Sequence, residues 1–401
     1  MGAMLKKVMI LGAGPEQRPM YAAAKSMGLH ITGVDMNCSA NCKDLADSFL
    51  NISSRAHESL RCTLGSDCPD AVISPASDVG IVTAYRLGNY YGLNSRLSFH
   101  AFKSSTDKNY FNNLIINHGI KAPKNFKALS AQNLKQIVEE IGYPLIVKPS
   151  DAAGGKGITY VDDEKCLEEA FCKAMAFSFN QEVVIEEFIN GVHYSAELLR
   201  YNSKTVFAAV SLKTSTGPPS FLNMQHLIPA PLPDYIDSEV RKTLDLLCAI
   251  CEIDNGPVNF DLIINGEGLY IIEMSARVSG NGMSVLIKES YGVDNCVMDL
   301  QVATGQPLTE LKKAEFRAYS ALRTIIADYD GVFDGISGFD EVKRHPAFKD
   351  VNLFVKAGDA VHKFTHEGHK LGYVILAHSD LEMLKDGILL VENTFKVKIL
   401  T

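Results

Sequence analysis

The segment "PVNFDLIINGEGLYIIEMSARVSGNG" carries two acids and an arginine on two alternating runs that flank "NGEG", the signal of a β-hairpin. With a three-residue loop, Gly266–Gly268, the strands pair symmetrically about Glu267 and Asp261 lies directly opposite Glu273. Cross-strand partners hold their Cβ atoms about 5 Å apart, and like charges there destabilise a sheet. A hard cation between them removes the repulsion, and Mg2+ held by one or two carboxylates plus substrate phosphates fits that donor set. Alternation puts Glu273, Ser275 and Arg277 on one face, so Arg277 points into the same site, suited to a phosphate or carboxylate. The bland alternative is a chance pair of acids on an exposed sheet face.

Two further blocks carry chemistry. In "YPLIVKPSDAAGGKGITYV", Lys148 follows three apolar residues, and a lysine in such a strand needs an anionic partner. Gly154, Gly155, Lys156 and Gly157 free the backbone to wrap phosphate oxygens. This is not a Walker loop, because Ser150 stands where its first glycine belongs and Gly157 where its Ser/Thr belongs. Alone, a flexible hairpin turn is an equal alternative. "EVVIEEFINGVHYSAEL" is a strand ending in the paired acids Glu186 and Glu187, whose apolar neighbours could hold an adenine.

Taken in chain order, a buried lysine, a glycine-rich loop, "EEFI" and a D…E-x-S-x-R hairpin resemble the ATP-grasp superfamily, over essentially the whole chain. The N-terminal "GAGPEQRP…AAAKSMG…VDMN" is similar to the branch with biotin carboxylase, carbamoyl-phosphate synthetase and the amino-acid ligases. The resemblance implies that Lys108 and Lys148 bind ATP phosphates beneath the loop Gly154–Gly157. It gives Glu186, beside Glu187, and backbone groups of Phe188 and Ile189 to adenine, and places His193 near the ribose. Asp261 and Glu273 become ligands of Mg2+, with Mn2+ as its substitute, and Ser275 stands where relatives often carry a coordinating asparagine. Arg277 would steady the transferred phosphoryl group or the acyl-phosphate. His226 in "FLNMQHLIPAP" resembles a histidine near the triphosphate in carbamoyl-phosphate synthetase, with an ordinary loop histidine as the equal alternative. "VSGNG" resembles the substrate-side loop of amide-forming members.

The activity so implied is an ATP-dependent carbon–nitrogen ligase: a small-molecule carboxylate is activated as an acyl-phosphate and joined to an amine, releasing ADP and phosphate. The runner-up is bicarbonate activation through carboxyphosphate. Two readings from other classes are an NAD-dependent oxidoreductase and a non-catalytic ATP-binding protein. The oxidoreductase would use "VMILGAGPEQRPM", a strand and glycine turn with Asp35 at a ribose-binding distance along the chain. Gln17 in place of the third glycine, Pro15 without an N–H and Glu16 at the helix start all oppose a pyrophosphate there.

The elements that must position these residues follow from the pattern. The fold expected is α/β and α+β: an ATP-grasp fold with a Rossmann-like N-terminal α/β domain over 1–103 and an ATP-grasp domain over 104–314. The latter includes a mobile nucleotide lid at about 120–187, and a small β-rich cap fills 315–401. Ser104, Ser105, Thr106 and Asp107 offer helix caps before an amphipathic stretch. Length allows two or three domains, and 46% hydrophobic with 21% charged residues is ordinary for a soluble globular protein. The net charge of −8 and the lack of basic–aromatic clusters argue against nucleic acid, and no run reaches membrane-span length. Nine scattered cysteines and no signal peptide point to the cytoplasm, and Cys248 and Cys251 read as core thiols. His362, His366 and His369 read as a solvated surface hairpin rather than a zinc set. A homodimer is the assembly the relatives suggest.

Overall fold

The structure, a computed structural model, describes residues 5–95, 97–152 and 154–400. Strands β1 (Lys7–Leu11), β2 (His30–Val34), β3 (Ser48–Leu50) and β4 (Ala71–Ile73) form a parallel sheet in the order β3-β2-β1-β4. Alternation along β1 feeds two cores: Val8 and Ile10 pack with Tyr21 and Ala24 of helix Arg18–Ser26, Met9 and Leu11 with Leu60 and Leu87 from the helices on the other face. Parallel strands covered on both faces read as continuous apolar runs for this reason.

The turn after β1 is not a dinucleotide site. The Ala13 N–H donates to Asp35 Oδ2 at 2.9 Å and the Gly14 N–H to Gln17 Oε1 at 2.9 Å. Donors that a pyrophosphate needs are thus already spent inside the turn.

A second sheet, antiparallel, holds β5 (Asn125–Ala128), β6 (Leu145–Pro149), β7 (Thr159–Val161) and β8 (Val183–Glu187) in the order β5-β8-β6-β7. Leu145, Val147, Val183 and Ile185 pack beneath helices Leu134–Ile141 and Leu167–Phe177. Period-two alternation therefore sends Ile146, Lys148, Val184 and Glu186 to the opposite face.

In chain order follow β9 (Val192–Tyr201), β10 (Lys204–Ser215), β11 (Asn223–Ile228), β12 (Gly256–Asn265), β13 (Gly268–Ser275) and β14 (Tyr319–Ile325). Then come β15 (Gly331–Ser337), β16 (Phe348–Leu353), β17 (Ala360–Val361), β18 (Gly372–His378) and β19 (Lys396–Leu400). Eight of these make one antiparallel sheet, β13-β12-β9-β10-β11-β14-β18-β16, and the other three pair separately as β17-β15-β19.

The β-rich C-terminal segment expected over 315–401 divides its strands between two sheets. β14, β18 and β16 extend the large sheet, and β14 pairs with β11 directly. The reason lies in β18: Leu376 and Val374 face one core while Tyr373 and Ile375 face another, so "GYVILAH" is a central strand, buried on both sides. The hairpin departs from its expected geometry. Asn265 pairs with Gly268, so the loop has two residues rather than three, and a bulge at Ile272 shifts the register. The bulge returns Asp261 to the position opposite Glu273.

Two capped helices lead into the site. Ser98 Oγ accepts from the Ala101 N–H to start Phe99–Thr106, and Asp107 Oδ1 accepts from the Tyr110 N–H to start Lys108–Asn117. Cys248 and Cys251 are fully buried core thiols, pushed up by burial to about 12 and about 11. Among the described residues no helix is long and apolar enough to cross a membrane.

Candidate functional site

Asp261 and Glu273 face each other across β12 and β13 at the edge of the large sheet. Each already has a cation. Lys213 Nζ on β10 lies 2.8 Å from Asp261 Oδ2, and Lys108 Nζ lies 3.6 Å from Glu273 Oε2. Burial alone would raise the Asp261 carboxyl; the Lys213 ammonium overrides it and, with the Ser195 hydroxyl bonded to Oδ1, holds the group down to about 2. For Lys108 burial acts downward, and the neighbouring carboxylates of Glu273, Asp78 and Glu186 outweigh it to keep the ammonium charged.

Arg277 reaches the same cleft but is bound to Asp78, on the turn before helix Ile81–Tyr91. Its Nε and Nη2 lie 2.9 and 2.8 Å from Asp78 Oδ1, and the Ser275 hydroxyl donates to that oxygen at 2.8 Å. Ser275, expected beside the metal, is thus held by Asp78. Glu367 closes another side: its N–H donates to the Gly154 carbonyl at 2.9 Å and its Oε1 accepts from the Asn223 N–H at 2.8 Å. Lys370 binds Glu367 Oε2 at 3.3 Å and Glu16 Oε1 at 2.7 Å. The carboxylates of Asp78, Asp261 and Glu273 are therefore matched by Arg277, Lys213 and Lys108, while Lys370 is shared between Glu367 and Glu16.

Above the cleft lies the glycine loop. Gly154, Gly155 and Gly157 have φ of +70°, +75° and +72°, where a side chain is strained, and a Cβ on Gly155 would come 2.7 Å from Leu222 Cδ2. Lys156 between them is exposed. Lys148 is only 4% exposed and has the partner its strand demanded, Glu186 Oε1 at 2.6 Å. Glu187 turns away to accept from the Lys124 N–H at 3.2 Å, and the Phe188 N–H donates to the Pro144 carbonyl at 3.3 Å. The Phe188 ring stacks on Phe221 (5.6 Å between centroids) and meets Tyr160 edge-on (5.0 Å), while His193 lies parallel to Phe221 at 6.2 Å. Ile189 is buried beside them. This forms an aromatic wall next to the Lys148–Glu186 pair.

His226 stands on β11, not in a loop. Its ring is buried between Asn223 Nδ2, 2.7 Å from Nε2, and Ser211 Oγ, 2.9 Å from Nδ1. Burial, reinforced by the Lys213 ammonium, pushes it down to about 3, so it is neutral and tied at both nitrogens. It fixes the floor beneath Lys213 and carries no proton at neutral pH beyond the one it shares with Ser211.

The cleft encloses about 200 Å³, and its wall brings together the glycine loop, Lys213, Asp261, Glu273, Arg277 and Glu367. Among the described residues no three His, Cys, Asp or Glu side chains are set to hold a metal by themselves. A divalent ion on Asp261 and Glu273 must complete its shell with ligand or water oxygens, as Mg2+ does with phosphates. The pair fits such an ion, for it already holds two ammonium groups. His369 ends the turn Glu367–His369, with the rings of His366 and His362 3.8 and 5.3 Å from its own.

Sequence reasoning missed Asp78 and Lys213. Asp78 begins a helical segment, where an acid has an ordinary dipole explanation. Lys213 could have been found by the criterion applied to Lys148, a lysine on an apolar strand, but it sits near the strand's end, where lysines are usually solvated.

Comparisons with known proteins bear on the same residues. The model of the family "Carbamoyl-phosphate synthase L chain, ATP binding domain" matches residues 107–311, just over half of the chain, and that of "L-amino acid ligase C-terminal domain 2" matches 323–399. The protein y4rH of Sinorhizobium fredii is 27% identical over 261 residues, 64% of this chain and 53% of its own length. The carbamoyl phosphate synthase large chain of Clostridium acetobutylicum is 26% identical over 219 residues, 53% of this chain and 20% of its own. The chain thus spans about half of the first and a fifth of the second. The crystal structure of L-amino acid ligase from Bacillus licheniformis superposes with a TM-score of 0.83 at 20% identity, covering 99% of both chains, a likeness of fold. Lys108, Lys148, the glycine loop, Glu186, Asp261, Glu273 and Arg277 all lie inside the matched segment 107–311, on an ATP-grasp fold: the chain belongs to the family of the carbamoyl-phosphate synthase L chain ATP binding domain.

Proposed function

We propose that the protein is an ATP-dependent carboxylate–amine ligase that joins two small molecules through an acyl-phosphate. The observation that carries this reading is the set of carboxylates paired with cations at one cleft beneath a glycine loop: Asp261 with Lys213, Asp78 with Arg277 and Glu273 with Lys108. A charge-balanced cleft of this kind suits a ligand that brings both signs, a polyphosphate with divalent ions. Lys213 and Lys108 would then turn from the carboxylates to phosphate oxygens, leaving Asp261 and Glu273 free to hold the divalent ions.

In this reading Asp261 and Glu273 hold Mg2+, which supplies charge neutralisation to the β- and γ-phosphates when bound. Lys148, fixed by Glu186, and Lys108 position the phosphates; the aromatic wall of Phe188, Phe221 and Tyr160, with Ile189, takes the base, and His193 adjoins the ribose. Arg277 steadies the phosphoryl group as the carboxylate attacks the γ-phosphorus, and the acyl-phosphate that results. That attack forms a C–O–P link and expels ADP. The amine then forms the C–N bond, the C–O bond to phosphate breaks, and the departing phosphate takes the electron pair and the amine proton. No protein nucleophile is needed, and the neutral, doubly bonded His226 is not one. The glycine loop, held to Glu367, keeps water from the acyl-phosphate. We assign residues 120–187 to the moving lid.

Released phosphate is the test. Purified protein with ATP, Mg2+ and pooled amino acids, with and without bicarbonate, is compared with Asp261→Asn/Glu273→Gln. Phosphate release that requires the amine pool and vanishes in the variant supports the ligase. Release that requires bicarbonate alone moves the reading to carboxyphosphate chemistry.

A further inference from the structure

Lys370 joins three segments that are far apart in the chain. Its ammonium lies 2.7 Å from Glu16 Oε1 on the turn after β1, 3.3 Å from Glu367 Oε2 and 2.5 Å from Asn281 Oδ1. The side chain is 4% exposed and passes over the Tyr373 ring, 5.3 Å from its centroid. Burial works against the ammonium, and the carboxylates of Glu16 and Glu367 outweigh it, so the group stays charged. A buried charge is costly unless its partners hold it, and here one nitrogen ties all three partners to each other.

Two of those partners, Asn281 and Glu367, line the cleft, and Lys370 stands behind them. The glycine loop rests on Glu367, whose N–H donates to the Gly154 carbonyl at 2.9 Å and whose Oε1 accepts from the Asn223 N–H at 2.8 Å. Asn281 belongs to the other wall, the segment 278–282. The near end of that segment is fixed independently: the Ala76 N–H donates to the Val278 carbonyl at 2.9 Å, and the Ser279 N–H and hydroxyl both donate to the buried Glu197. Its far end runs through left-handed backbone at Asn281 (φ +54°) and Gly282 (φ +66°), and the Asn281 side chain is tied to Lys370. Asparagine tolerates that backbone and also brings the oxygen the ammonium needs. Glu16, the acid that opposes a pyrophosphate at the opening turn, is the post that anchors Lys370 to the first layer.

Building on the ligase reading, we infer that Lys370 is a positioning residue that couples the glycine loop over the nucleotide to the substrate-side loop 278–282. With the glycine loop seated, Glu367 holds the ammonium and the ammonium holds Asn281. Opening of the glycine loop withdraws Glu367; the ammonium is then left to Glu16, and Asn281 loses its hold. The wall that receives the carboxylate substrate is therefore set when nucleotide is in place. By linkage, nucleotide and carboxylate substrate favour each other's binding by one common factor.

Hydrogen exchange of the full chain, read by mass spectrometry with and without Mg2+ and the β,γ-imido analogue of ATP, tests the coupling. Wild type is compared with Lys370→Met, Lys370→Arg, Asn281→Gly and Asn281→Asp. Asn281→Gly keeps the left-handed backbone and removes the tie, so it carries the test even where Lys370→Met fails to fold. In wild type the analogue should slow exchange at least five-fold at 154–158 and at 278–282. In Asn281→Gly the slowing at 154–158 should stay within two-fold of wild type while that at 278–282 falls below two-fold. Lys370→Met should lose the response at 278–282 as well, and Asn281→Asp and Lys370→Arg should recover part of it. Slowing confined to 154–158 in wild type overturns the inference, as does a response at 278–282 that survives Asn281→Gly. No slowing at 154–158 in wild type counts against the nucleotide reading, and the inference falls with it. Coupled loops in a protein that releases no phosphate with any amine pool would sink the ligase reading alone.

Discussion

Lys213→Met keeps the bulk of the side chain and removes the cation that faces Asp261. Lys213 holds the Asp261 carboxyl from its ordinary 3.8 down to about 2 against the opposing effect of burial. At about 1.4 kcal/mol per pKa unit that shift amounts to about 2 kcal/mol in full. The Asp261 side chain is 35% exposed, so solvent screening reduces it to about 1 kcal/mol. Because the folded-state value is depressed, this stabilisation is present above pH 3.8 and is lost as the pH falls towards 2. The variant should therefore unfold about 1 kcal/mol more easily at pH 7, with the deficit narrowing below pH 4. Millimolar Mg2+ should stabilise the variant more than the wild type, since the ion takes the place the ammonium left. Turnover should fall by about 10²-fold or more, the loss typical of removing one fixed charge donor from a reacting centre. Urea unfolding followed by circular dichroism, with and without Mg2+, reads the first two effects. A variant as stable as wild type without Mg2+, and no more responsive to it, refutes the charge-matching argument.

Asp299 and Glu197 are buried carboxyls, each pushed up to about 7, chiefly by burial and for Asp299 also by Glu197. A raised folded-state value stabilises below the unfolded pKa and is lost as the pH rises through 7, so Asp299→Asn should match wild type at pH 4 and exceed it at pH 8 by roughly 4 kcal/mol. Urea titrations at the two pH values check this; a gain that is equal at both counts against it. Gly80→Ala should cost about 1–3 kcal/mol, because its Cβ would fall 2.4 Å from Ser74 Oγ and 2.9 Å from Leu11 Cβ. The same clash displaces the Asp78–Gly80 turn from Arg277, so KM for the carboxylate substrate should rise, and adding Ser74→Gly should restore both in part, since the Leu11 contact remains. A Gly80→Ala protein with wild-type stability and KM contradicts the packing argument.

The sequence made the hairpin visible because alternation alone places Asp261, Glu273 and Arg277 on one face. The pairing came out as expected although the turn did not: the two-residue loop would have slipped the register, and the bulge at Ile272 cancels the slip. No pattern announces a bulge in advance. Lys148 was legible since an apolar strand cannot hold a lone ammonium, and Glu186 on the neighbouring strand supplies the partner. The hold of Asp78 on Arg277 was not, as the two are 199 residues apart and each has an ordinary local reading. The C-terminal strands were recognised as strands, but their place in the large sheet depends on which edge β14 pairs with, and that choice is made by long-range packing rather than by periodicity.

The most direct test of the account traps its intermediate. Wild type and Asp261→Asn/Glu273→Gln are incubated with Mg2+, ATP, hydroxylamine and a pool of small carboxylic acids including the common amino acids, and the products are read by mass spectrometry. Hydroxylamine stands in for the amine, so any acyl-phosphate becomes a hydroxamate whose mass names the acid. The account predicts one or a few hydroxamates, formed in step with ADP by wild type and absent with the double variant. ADP and phosphate without any hydroxamate, or hydroxamates undiminished in the variant, would contradict it.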